Sequence, residues 1–157
     1  MAEPAAGGLH TEFMMDELQT LLIERACSRL VLLAAECADH HRAAEFAALF
    51  APDAVLSRPN GEPLRGREAI RQAYAQRPAD RITRHVVTNT RVDVLSDSEA
   101  RATSVVLLWA GSINDEAGPR GRPAQPGQVL GEFDDRFALT PEGWRIVSRR
   151  ASFLLHG

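Results

Sequence analysis

Apolar residues recur at three- and four-residue intervals from Asp16 onward, at Leu18, Leu22, Ala26, Leu30, Leu33 and Cys37, while Glu17, Glu24, Arg25 and Arg29 fall mostly between them. This is the spacing of one helix face, and it predicts an α-helix from about Asp16 to the polar break Asp39-His40-His41-Arg42. A second short helix carries Phe46, Leu49 and Phe50 and is stopped by Pro52. Val55 to Ser57 reads as a short strand. Asn60-Gly61 reads as a tight hairpin turn, because both residues tolerate positive φ, and Arg67 to Gln76 as a third helix between Gly66 and Pro78. From Arg84 the period changes. The segments Arg84 to Val94, Ala100 to Ser112, Val129 to Leu139 and Gly143 to Leu154 are rich in Val, Ile, Thr, Phe and Trp and are separated by turn residues, which predicts four long strands. Between the second and third of these, Asn114 to Gln128 holds three prolines and three glycines, so a long loop is expected there, acting as a mobile lid or a subunit contact. Helices first and antiparallel strands afterwards predict an α+β domain, its helices packed on the concave face of a curved, mainly antiparallel sheet around one apolar cavity.

Length sets the domain count. With 157 residues and 45% hydrophobic side chains, the chain fits one domain, expected over residues 16–157 behind a flexible Ala-, Gly- and Pro-rich arm over residues 1–15. All 18 basic residues are arginine, which removes Schiff-base chemistry, a catalytic lysine and the lysine of a phosphate-cradling P-loop. A net charge of -3 offers no broad basic surface, so neither nucleic acid nor an anionic membrane is an expected partner. The two cysteines, Cys27 and Cys37, stand ten apart in one helical stretch and close neither a zinc site nor a disulfide framework. A reducing compartment is the simpler reading. The longest apolar run, Leu30 to Ala35, is too short to span a bilayer, and the start of the chain lacks the pattern of a signal peptide, so a cytoplasmic protein is expected.

Few residues remain to carry chemistry. Asp39 follows a long apolar helix where the chain turns sharply. It reads either as a cap for the next helix or as a carboxylate at the mouth of an apolar cavity, where desolvation would raise its pKa. In Arg84-His85-Val86-Val87-Thr88-Asn89, alternation puts His85, Val87 and Asn89 on one face, aimed either into the cavity or at solvent. His40 and His41 are adjacent, diverge on a helix end and make a poor metal pair, so no metal site is expected. Near the end of the chain, alternation groups Phe133, Asp135 and Phe137 on one face, and Trp144, Ile146, Ser148 and Arg150 on one face of the next strand. Asp135 and Arg150 are thereby carried to the buried side, where opposite charges are tolerable mainly as a hydrogen-bonded pair, with direct ligand contact as the other reading.

The run Asp39 to Asp53 with its Leu49-Phe50-Ala51-Pro52-Asp53-Ala54-Val55 ending, then Gly66-Arg67-Glu68-Ala69-Ile70, Arg84 to Asn89, Gly131-Glu132-Phe133-Asp134-Asp135 and Gly143-Trp144-Arg145-Ile146, resembles the SnoaL-like branch of the nuclear-transport-factor-2-like superfamily. The resemblance covers about Asp16 to Leu154. It implies a cone-shaped α+β barrel with a deep pocket, usually a homodimer formed through the sheet. The outer sheet face buried in that dimer is expected to carry Val86, Val106 and Val147 beside polar neighbours. It also implies functional positions, because scytalone and bile-acid dehydratases of this superfamily use an aspartate at the end of the first helix and a histidine on the strand after the third, positions matched by Asp39 and His85. The tyrosine found five residues before that aspartate in the bile-acid enzymes is matched by Ala34. The expected function is a cofactor-independent lyase (dehydratase) or isomerase acting by general acid/base catalysis on a cyclic, largely apolar small molecule. In it His85 moves the proton, Asp39 orients or charge-stabilises the imidazole, Asn89 holds a substrate oxygen and Trp109 lines the apolar wall. The other class, favoured by Ala34, is a non-catalytic binding or assembly domain of the same fold.

Overall fold

The computed structural model describes the backbone from residue 8 and side-chain surroundings from residue 16 to the end. The elements run α1 (Gly8–Asp39), α2 (Ala43–Ala48), β1 (Phe50–Ser57), β2 (Leu64–Arg65), α3 (Arg67–Ala75), β3 (Arg81–Ser96), β4 (Glu99–Ser112), β5 (Val129–Thr140) and β6 (Gly143–His156). Residues 1–7 of the expected arm lie outside the described residues, and α1 is continuous from Gly8. The strands form one curved, unclosed six-stranded sheet in the order β2-β1-β6-β5-β4-β3. Every pairing is antiparallel except that of β1 with β6. This is the α+β architecture expected from helices followed by long strands. Asn60-Gly61 sits in a wider connection than a two-residue turn, since Leu56 already pairs with Leu64. The missed strand β2 has only two residues, too few to show alternation.

The first helix buries part of the face its leucines suggested. Leu30 and Cys37 of that face are buried, whereas Leu18 and Leu22 are exposed, and Ile23, Cys27, Val31, Ala34 and Ala38, each one residue further on, are buried as well. The buried stripe is the predicted one shifted toward the next residue at its start and widened toward its end. Small residues let α1 settle close against the sheet, where Phe46, Phe50, Phe137 and Ile146 complete the core.

Three irregularities decide which side chains face inward. Between Thr88 and Arg91 the β3–β4 register shifts by one residue, and Asn89 in that bulge adopts φ 50°. An extra residue inserted into one strand reverses the parity beyond it. Between β5 and β6 the register shifts as Arg136 pairs with Ser148 and Phe137 with Ile146. Val147 is the extra residue, so Ile146 and Arg149, three apart, are both buried. Near the far end of the same pair the register shifts again between Leu130 and Gly131.

Candidate active site

Asp39 is the last residue of α1, and the residues after it turn the chain away. His41 takes φ 56°, and the carbonyl of Ala38 accepts the His41 backbone N–H at 3.4 Å and Arg77 Nη1 at 2.8 Å, satisfying a helix-end acceptor. His41 Nε2 donates to the carbonyl of Arg81 at 2.7 Å, tying the helix end to the start of β3. Asp39 is therefore no cap for α2, whose first turn has no side-chain cap. Its carboxylate crosses to β3 instead. Oδ1 accepts from His85 Nδ1 at 2.6 Å and from Thr83 Oγ1 at 2.8 Å, while Oδ2 accepts the backbone N–H of His85 at 2.8 Å.

This geometry settles the protonation pattern of the pair. Burial pushes the Asp39 carboxyl up, but the hydrogen bonds and charge of His85, with the bond from Thr83, outweigh it and hold the group below its ordinary value. The rise expected from desolvation alone does not occur, because three donors meet the charge. An ionised carboxylate only accepts, so His85 must carry its proton on Nδ1. Nε2 is left with no protein partner among the described residues, on a side chain that lines the cavity.

The cavity holds about 270 Å³, just below the roughly 300–1,000 Å³ usual for small-molecule sites. Ala34, Ala35 and Ala38 of α1, Phe46, Leu56, Val106, Leu108 and Phe133 supply its apolar walls. Four arginines, Arg58, Arg77, Arg81 and Arg149, supply its charged lining; Arg149 forms a bidentate pair with Asp135 at 2.7 Å on both bonds and lies 4.2 Å over the Phe133 ring. Asp135 is fully buried behind that arginine.

A family model described as the SnoaL-like domain matches residues 19–150. The chain belongs to the SnoaL-like family. Among solved structures, a putative scytalone dehydratase from Novosphingobium aromaticivorans is similar to this SnoaL-like chain at 24% identity and TM-score 0.75, covering 88% of this chain and 89% of that one. A hexachlorocyclohexane dehydrochlorinase, LinA type 2, matches at 14% identity and TM-score 0.75, over 90% and 91% of the two chains. An NTF2-like protein with a cystatin-like fold from Novosphingobium aromaticivorans matches at 19% and TM-score 0.70, over 98% and 92%. At these identities the likeness is one of fold. Comparison with curated protein sequences finds no match.

The SnoaL-like fold brings only some of the expected site residues together. His85 and Phe133 line the cavity, with Asp39 directly behind the imidazole. Asn89 does not, because the bulge turns it out to solvent. Trp109 does not line the apolar wall: Val106 and Leu108 point inward, so alternation sends Trp109 to the outer face, 42% exposed. Val106, expected outside, is buried by the same parity. Arg150 is not the partner of Asp135; the bulge at Val147 puts Arg149 there, and Arg150 pairs with Asp134 at the surface instead. None of residues 114–128 lines the cavity. Polar lining residues that escaped sequence reasoning include Tyr74, Arg58, Arg77, Arg81 and Arg149. Both thiols are buried, and burial pushes Cys27 up to about 12, so it stays protonated.

Proposed function

We propose that the chain is a cofactor-independent lyase that eliminates water, or a comparable leaving group, from a small cyclic molecule with an apolar body. The observation that carries the reading is the Asp39-bound imidazole, with Nδ1 anchored and Nε2 available in a mostly apolar cavity. Nε2 accepts the proton from the carbon next to a carbonyl. Asp39 stabilises the resulting imidazolium. The C–H electron pair forms the new double bond, the hydroxyl on the adjacent carbon departs, and the imidazolium returns the proton to it as water. Two chains sharing this fold bear the names of eliminating enzymes, a dehydratase and a dehydrochlorinase, which makes elimination the reaction to test before isomerisation. A homodimer through the outer sheet face is proposed with it.

The second reading is a binding domain without chemistry, and Ala34 supports it, since a methyl group lines the cavity where related enzymes place a phenol. The test is turnover of cyclic β-hydroxy ketones, followed by absorbance of the conjugated product. Asp39→Asn and His85→Gln should each lose about 10²–10⁴-fold in rate, the usual worth of a positioned acid/base. Full activity in both variants would discard the dyad, and an inert wild-type protein that still binds ligands would favour the binding domain.

A further inference from the structure

Four guanidinium groups, those of Arg58, Arg77, Arg81 and Arg149, line the cavity, and the only carboxylate among its lining residues is the exposed Glu132. Arg149 is neutralised by Asp135. No ion pair holds Arg58, Arg77 or Arg81 among the described residues. Arg58 and Arg81 are exposed and Arg77 is half-buried, so the cavity carries unneutralised positive charge that attracts an entering anion.

Tyr74, the only tyrosine in the chain, gives this charge a focus. Its ring stacks on Phe46 with centroids 3.9 Å apart, and the Arg77 guanidinium lies 5.7 Å from it. Arg149, Arg77 and Arg58 all act electrostatically on its phenol, yet burial outweighs them and keeps the phenol protonated well above neutral pH. The hydroxyl has no protein partner among the described residues and is therefore an available donor. Arg149 uses Nε and Nη2 on Asp135, which leaves Nη1 uncommitted. Arg77 is fixed by the carbonyl of Ala38 and by Thr83 Oγ1, at 2.8 and 3.2 Å. That threonine also donates to Asp39, so the cationic wall and the dyad are parts of one hydrogen-bonded assembly.

We propose that Tyr74, Arg58, Arg77 and Arg149 form an anion subsite, and that the molecule turned over in this cavity carries a carboxylate beside its apolar ring. The reaction assigned to that molecule rests on the lyase reading, whereas the subsite itself is a matter of binding. The carboxylate docks on the α3 wall and presents the rest of the molecule to His85.

The test is calorimetric titration at low salt with benzoate, cyclohexanecarboxylate and 1-naphthoate, each against its primary amide. At least one acid should bind about tenfold or more tighter than its amide, because charge-assisted hydrogen bonds are roughly twice as strong as neutral ones. That preference should fall severalfold in Arg58→Gln and in Tyr74→Phe, which remove groups with no structural hydrogen bonds, and persist in His85→Gln. Equal affinity for acid and amide, no binding of any acid at millimolar concentration, or a preference unchanged in both Arg58→Gln and Tyr74→Phe would overturn the subsite. Because binding is read in a protein whose imidazole is gone, loss of the anion preference and loss of the lyase reading are separate results.

Discussion

Asp39 is a structural tie and, in the proposed lyase, also the group that positions the imidazole. Its three hydrogen bonds hold the end of α1 to β3 and fix the imidazole with Nε2 available. Because the folded protein holds this carboxyl below its ordinary 3.8, its ionised form stabilises the fold above that value, and the stabilisation is lost as pH falls through the native pKa. Urea unfolding of wild type and Asp39→Asn should therefore show a gap in stability at about pH 7 that narrows as the pH is taken below 3.8 and through the lower native pKa, once the carboxylate is protonated in both states. A gap independent of pH would mean that the charge contributes nothing. Asp39 and His85 were legible because each lies where simple periodicity still holds: the end of a strongly patterned helix, and a strand position before the first bulge. Tyr74 was passed over because its helix carries few apolar residues, with only Ile70 fully buried. Arg149 was lost to a parity count.

That count failed at the level of the element. Alternation assumes an uninterrupted ladder, and one extra residue inverts every assignment after it. In Thr88-Asn89-Thr90 a signal was present, since asparagine is several-fold enriched at positive φ and interrupts an otherwise β-branched run. Val147 offers no such signal, because valine favours the very strand it interrupts. The inward exchange of Arg149 for Arg150 was therefore invisible before the β5–β6 register was known. Gly131 marks another constraint on the same pair. A Cβ there would sit 2.6 Å from the carbonyl oxygen of Ser152 on the facing strand, and backbone cannot swing aside as a side chain can. Gly131→Ala should thus push β5 from β6 where both line the cavity, destabilising the fold by about 1–3 kcal/mol, the usual cost of overpacking. Chemical denaturation measures it, and an unchanged midpoint would show that the strands part without cost.

Across the whole molecule, the sheet divides two kinds of apolar surface. Its inner side is covered by helices and the cavity. On its outer side Val86 pairs with Leu107, Leu107 with Leu130, and Leu130 with Leu155, an apolar row running across β3, β4, β5 and β6 in register. Val86 is 49% and Leu155 65% exposed, and Trp109 stands two residues beyond Leu107 on the same face. A row of this kind is the sort of surface that monomers seldom leave in water and that an isologous interface buries against its own copy. The proposed homodimer therefore rests on this row, with Val86 retained from the sequence reading, Val106 replaced by Leu107, and Val147 packed against the core. Wild-type protein should sediment at twice its 17.2 kDa at micromolar concentration. Leu107→Arg, at the centre of the row, should shift it to monomer, because two arginines brought together at a two-fold interface add repulsion to lost apolar burial. The change lies on the face opposite the cavity, so carboxylate binding should survive it. A wild-type protein that remains a 17.2 kDa species would instead leave the row as solvent-facing surface and remove the dimer from the account of this fold.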